Sequence, residues 1–231
     1  RAVCSISAWF RVAEHMAEHE ILSRSSACLV PHGDKCVFLT SSHVVAPWKW
    51  RNYYPQDWIE HVNASNTKYS IEIRDRETGR VRLSHSLELP AVCHETLDIA
   101  MLEHQPWSDE VMAHMEPLQL ASRQLEEGQD VRVMGHEIVD EPGDDIDDVR
   151  EQLPRDVPGR MLRRTSGRSF IKTATVLGDG MCGGPVLDPD LQCHGVIEGI
   201  VPPSNLALGD LAGAAAFVEA TELTSWLRSL R

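Results

Sequence analysis

The sequence predicts an all-β chain, a barrel or a sandwich, on three observations. Short apolar runs recur along the 231 residues with Gly, Pro, Asn and Asp turn signals between them. Residues 69–73 (YSIEI) and 81–84 (VRLS) alternate apolar and polar positions around a turn at 76–79, the pattern of a hairpin. Helical periodicity is confined to the two ends.

In order along the chain, residues 5–23 carry Ile6, Trp9, Phe10, Ala13, Met16 and Ala17 at three- and four-residue steps, which predicts a helix within an N-terminal extension, 1–25. His15, Glu18 and His19 there spell H-x-x-E-H, whose helical spacing would set both imidazoles on one face. The helix is already committed to its apolar stripe, so these residues read as a solvated polar face rather than a metal site. Residues 27–30, a turn at 31–34 and residues 36–40 read as strand, turn, strand. Further short strands are expected at 97–102 (LDIAML), 131–134, 169–176, 195–201 and 214–218. An amphipathic helix at about 219–230 closes the chain. Two segments interrupt: 48–58, aromatic and mixed with charge, reads as a packed surface loop. The acidic, proline-containing stretch 137–156 reads as an exposed loop folded back on Arg160, Arg163, Arg164 and Arg168.

A net charge of −13 argues against a nucleic-acid partner, which would need a basic face. No run of about eighteen apolar residues is present, so no membrane-spanning helix is expected. The chain starts at Arg1 with no signal-peptide pattern, which fits a leader already removed or a fragment. Six cysteines, at 4, 28, 36, 93, 182 and 193, form no CxxC pair and no zinc spacing. They read as free thiols in an intracellular, reducing compartment, cytoplasm or an organelle matrix such as the mitochondrial one. The sequon at 63–65 is then silent. No cofactor is implied.

The stretch 178–188, GDGMCGGPVLD, presents one reactive side chain on a glycine turn. A thiol attacks as thiolate and needs a base, usually a histidine oriented by a carboxylate. Of eleven histidines, His43 follows a strand and is flanked by small residues that leave its ring accessible. Asp98 is a lone acid entering an apolar strand, where a buried carboxylate needs a partner. In G-x-C-G-G the amides of Gly180 and Cys182 can point the same way, as an oxyanion site requires. His194 reads either as a wall of the primary specificity pocket or as the end of a strand.

These motifs resemble the chymotrypsin-fold proteases, most nearly the high-temperature-requirement (HtrA-type) serine proteases. Residues 39–45, LTSSHVV, resemble that family's LTNNHVV. Residues 98–102, DIAML, resemble its DIALL, and 117–135 resemble the entry to its second barrel. Residues 180–186, GMCGGPV, resemble GNSGGPL with cysteine where serine is usual, as in chymotrypsin-like cysteine proteinases of positive-strand RNA viruses. Residues 195–201 resemble the strand that walls the substrate groove, which makes Gly199 a substrate-binding candidate. Val176 sits six residues before Cys182, where the trypsin branch places its charge-selecting residue. The resemblance implies two six-stranded antiparallel β-barrels, 26–118 with His43 and Asp98, and 119–231 with Cys182 and the C-terminal helix. It also implies a peptide or protein substrate. There is no Ile-Val-Gly-Gly terminus, and Met181 replaces the aspartate before serine, so activation by a newly cut terminus is not implied. The motifs together point to an endopeptidase with a Cys-His-Asp triad. The alternatives are a silent protease-like structural subunit of a larger assembly, docking through the N-terminal helix, 48–58 or 137–156, and a viral polyprotein processing domain.

Overall fold

Seven strands form the first sheet: β1 (Val3–Phe10), β2 (Glu20–His32), β3 (Lys35–Thr40), β4 (Thr67–Arg74), β5 (Val81–Leu87), β6 (Val92–Cys93) and β7 (Ala100–Leu102). They lie in the order β5-β4-β1-β2-β3-β7-β6. Six more strands close a barrel: β8 (Asp130–Val139), β9 (Glu151–Thr165), β10 (Arg168–Thr173), β11 (Pro185–Leu187), β12 (Cys193–Ile200) and β13 (Ala215–Glu219). The helices are one turn α1 (Ser42–Val45), α2 (Asp109–His114) and the terminal α3 (Ala220–Ser229). This is a computed structural model, and it describes residues 2–87, 91–102, 109–139, 151–165 and 168–230. The all-β expectation meets a mostly β chain with one closed six-stranded barrel. The other half is a seven-stranded sheet, not the six-stranded barrel expected, among the described residues.

The N-terminal helix expected over 5–23 is corrected. Residues 3–10 are strand β1, paired on both edges, with Ile6 opposite Ser25 on β2 and Ile71 on β4. The three- and four-residue steps compete there with an alternation of period two, and the alternation wins because both faces find partners. Cys4, Ile6 and Ala8 point into the core of the first sheet, while Ser5 and Ser7 on the opposite face donate to Glu72. A helix would have left that hydroxyl pair without the carboxylate. The strand is therefore a central piece of the sheet rather than an extension. His15, Glu18 and His19 lie between β1 and β2, outside any helix, so the H-x-x-E-H spacing loses its meaning.

The acidic stretch is also corrected where it is described. Residues 137–139 end β8, residues 151–156 begin β9, and 140–150 lie outside the described residues. The two strands pair from Asp130 opposite Arg160 to Val139 opposite Glu151. The arginines answer acids across the ribbon: Arg160 meets Asp130 at 2.7 Å, and Arg132 meets Asp156. Cross-strand opposite charges suit a ladder as well as a loop. This ribbon leans onto the first sheet, where a Cβ on Gly79 would touch the Gln152 carbonyl.

The two halves meet around residues that the site will need. Ser26 sits on β2, and its amide donates to the Cys182 carbonyl at 3.0 Å. The Ser26 hydroxyl donates to the Gly180 carbonyl at 2.7 Å. Leu118 donates to the Leu29 carbonyl, and Ser41 Oγ donates to the Ile197 carbonyl at 2.8 Å. A core shared by Cys28, Leu39, Ile99, Val196, Val218, Leu223 and Trp226 seals the seam, with α3 packed across it. The terminal helix thus runs close to its expected bounds because its apolar face closes the joint.

Candidate active site

α1 is a single turn at the end of β3, and all four of its residues are buried. A turn that short cannot hold itself; it is fixed by the carboxylate beneath it. Asp98, 3% exposed, enters β7 at the neighbouring strand end. Its Oδ1 accepts from the Ser42 hydroxyl and the His43 amide, both at 2.9 Å. Its Oδ2 lies 2.6 Å from His43 Nδ1. The carboxylate therefore sets both the backbone and the ring of His43. Burial lowers the affinity of the imidazole for a proton. The hydrogen bonds and charges of Asp98 and Cys182 outweigh it and push the His43 pKa up to about 10. Cys182, partly buried, is the sulfur in that pairing, so the structure brings the three side chains together from three distant stretches of chain.

Cys182 is presented by a turn that only glycine permits. Gly180 and Gly183 take φ +88° and +82°, and a Cβ on either would run into the backbone carbonyl of His136 or of Ser26. Neither the Gly180 nor the Cys182 amide has an acceptor among the described residues. Both amides are thus left as unpaired donors beside a partly buried thiol.

The remaining sequence candidates separate. Gly199 lies on β12 opposite Ala216, and a Cβ there would sit 3.3 Å from the Tyr53 hydroxyl. Val176 is 50% exposed, and a Cβ on Gly213 would sit 3.4 Å from its methyl and 3.7 Å from Lys172 Nζ. His194 is elsewhere: 3% exposed, its Nε2 lies 3.0 Å from Asp188 Oδ2. Asp188 in turn accepts from the amides of Asp190 and Gln192. That ring staples a surface turn and the structure does not bring it to His43.

Two neighbours of His43 were not singled out in the sequence. The Tyr53 ring lies flat on the imidazole, centroids 4.8 Å apart and planes 8° apart. Glu198, 5% exposed on β12, is paired to Arg168 at 2.7 Å. Burial raises its carboxyl; the Arg168 charge pulls it down, Asp98 raises it, and His43 lowers it. The signal for Glu198 was one acid inside the apolar run 195–201. For Tyr53 there was none beyond an aromatic-rich loop.

The arrangement can pass a proton between sulfur and imidazole, hold the imidazolium, and receive a developing oxyanion. The comparisons bear on the family and the fold. Among curated proteins nothing matches the chain. Among solved structures, it is similar to the inactive form of a serine-to-alanine mutant of Rv3671c from M. tuberculosis H37Rv. The identity is 16% and the TM-score 0.53, over 99% of this chain and 86% of that one. At that identity the likeness is one of fold. Residues 25–196, from the β2 strand that ties down Cys182 to the wall strand β12, match the trypsin-like peptidase domain, and the chain belongs to that family.

Proposed function

We propose that the protein is an endopeptidase that works through a thiolate. Asp98 holds His43, His43 takes the proton of Cys182, and the sulfur attacks a peptide carbonyl. The oxyanion sits on the amides of Gly180 and Cys182. The imidazolium returns its proton to the leaving amine, and water, deprotonated by the same ring, resolves the thioester. The observation that carries this reading is the Asp98 carboxylate, which holds His43 at its ring Nδ1, 2.6 Å away, and at its backbone amide, 2.9 Å away. Substrate lies along β12 past Gly199, with Val176 beside the side chain of the cleaved residue. A reducing compartment fits six unpaired cysteines.

A second reading, a silent protease-like subunit of a larger assembly, is favoured by the Tyr53 ring that covers the His43 face. Incubation of the purified protein with a diverse peptide mixture, wild type against Cys182→Ala, separates the two. New peptide termini from wild type only support the enzyme. Identical, uncut mixtures from both sink it.

A further inference from the structure

The first sheet carries a second concave site on the face opposite its apolar core. Serines stand in register there: Ser7 on β1 opposite Ser70 on β4, and Ser70 opposite Ser86 on β5. Residues two apart along a strand share a face, so Ser84 joins them. Trp9 lies at the end of this floor, its Nε1 donating to Ser70 Oγ at 2.9 Å. The chain that leaves β1 folds back over the serines. The His15 and Met16 amides both donate to the Val12 carbonyl, and Arg11 Nε donates to the Met16 carbonyl at 3.2 Å. Between floor and loop lies a groove of about 500 Å³, with Arg11, Glu18, His19 and Lys68 among its lining.

The charges in that groove are out of keeping with the chain. Acids outnumber lysines and arginines by 35 to 22, yet among the described residues neither Lys68 nor Arg11 forms an ion pair, and the Ser84 and Ser86 hydroxyls form no hydrogen bond within the protein. Glu18 is the one acid in the lining. The cations are felt at His19: burial first, then the charges of Lys68 and Arg11, hold its pKa below the ordinary histidine value. An anion in the groove would reverse that repulsion and let the imidazole take a proton.

We propose that this groove is a binding site for a small phosphate monoester, its phosphate held by Lys68 and Arg11 with the Ser84 and Ser86 hydroxyls, and its organic group against Trp9. Lysine and arginine only donate, a serine hydroxyl can donate, and a phosphate ester at neutral pH is an acceptor with close to two negative charges. Those two charges answer two cations; a carboxylate would leave one unanswered. Glu18 offsets part of the positive charge, and the proton taken up by His19 restores it. The volume exceeds what a phosphate group alone needs and suits a small organic molecule. Cys182, His43 and Asp98 are not in the lining, so the assignment stands or falls apart from the peptidase reading.

The test is calorimetric titration of the full chain with phenyl phosphate, and with phenylacetate as the carboxylate of similar shape. Lys68→Gln removes the charge, Lys68→Arg keeps it, and Arg80→Gln removes an exposed cation that is not in the lining. Thermal melts check that each variant folds. Phenyl phosphate should bind saturably in wild type and more tightly than phenylacetate. Lys68→Gln should weaken it about tenfold, the scale of a hydrogen bond to a charged group. Lys68→Arg should restore most of the affinity, and Arg80→Gln should leave it unchanged. A nuclear magnetic resonance titration locates the ligand: the His19 midpoint should rise when phenyl phosphate is present in wild type and stay in place in Lys68→Gln. No saturation up to about 10 mM, equal affinity in wild type and Lys68→Gln, or an equal loss in Arg80→Gln would overturn the proposal. Phenylacetate bound as tightly as phenyl phosphate would overturn the assignment to a phosphate.

Discussion

Asp98 grips His43 at two atoms at once, the ring Nδ1 at 2.6 Å and the backbone amide at 2.9 Å. Each carboxylate oxygen has its own task, one fixing where the ring stands and the other where its proton resides. Asp98→Asn keeps the first and weakens the second. With the carboxylate present, the imidazolium form extends to a pH of about 10, so its proton is available for the leaving amine below that pH and lost above it. Without the charge that upper limit moves to lower pH. The expected result is a fall of about 10²–10⁴-fold in peptide hydrolysis at neutral pH, the usual share of acid–base catalysis. The alkaline limb of the pH–rate profile shifts downward at the same time. A profile that keeps its alkaline limb would remove Asp98 from the proton economy of the site.

The three side chains of the candidate triad were readable because each sits in a local context that needs no tertiary information. A histidine after a strand, a lone acid before one and a thiol among glycines are visible at short range. What was not readable depends on pairing between distant strands. β1 became a strand because Ser5 and Ser7 meet Glu72 more than sixty residues on, and nothing in residues 5–23 announces that. β9 looked like a loop because Pro154 and Pro158 and a run of charges usually mark one. Its charges are answered by Asp130 and by Glu137 on the partner strand. His194, open in the sequence between a pocket wall and a strand end, lies at the first turn of chain into β12, where its bond to Asp188, close in sequence, explains the residue without any substrate.

The six thiols divide by burial, and that division is measurable. Cys4, Cys28 and Cys193 are buried, whereas Cys36, Cys93 and Cys182 are partly open. Burial is the largest influence on the Cys4 thiol and raises it well above its ordinary range, which withholds the thiolate a disulfide reagent needs. Titration of the native protein with Ellman's reagent should report Cys36, Cys93 and Cys182, with the buried three appearing only in denaturant. Cys182→Ala should remove the fastest phase. Loss of a slow phase instead would show that Cys182 is not an activated thiol.

The face of β1 and β4 under the ribbon holds a buried ion pair, Glu72 with Arg74, side chains 6% and 2% exposed. Glu72 also accepts from Ser5, Ser7 and Ser70, and Arg74 donates to Ser5 Oγ and the Gly79 carbonyl. Removal of one partner strands a buried charge, so Glu72→Ala should cost about 3–5 kcal/mol in urea unfolding. The double variant Glu72→Met, Arg74→Met should recover most of it, since apolar replacements of a buried pair are often neutral. A single variant within about 0.5 kcal/mol of wild type, the range of ordinary surface changes, would contradict this network.

The link between the halves predicts how a change far from the sulfur would disable it. The Ser26 carbonyl lies against Gly183, so close that a Cβ there would collide with it and with Thr40 Oγ1. The Ser26 amide, in turn, holds the Cys182 carbonyl at 3.0 Å. Gly183→Ala thus meets a left-handed φ of +82° and a backbone wall together. Gly33, at φ +66°, has nothing within 4 Å of its added methyl, so Gly33→Ala isolates the conformational part, about 1–2 kcal/mol. Gly183→Ala should lose more than that in urea unfolding, because β2 and the nucleophile turn must separate to make room. Ser26 and Cys182 then part, and the alkylation rate of Cys182 by a peptidyl chloromethyl ketone should fall toward that of a free thiol. Gly33→Ala should leave that rate at the wild-type value. Equal losses of stability in the two variants, with alkylation untouched, would mean that the turn bearing Cys182 is not braced by β2.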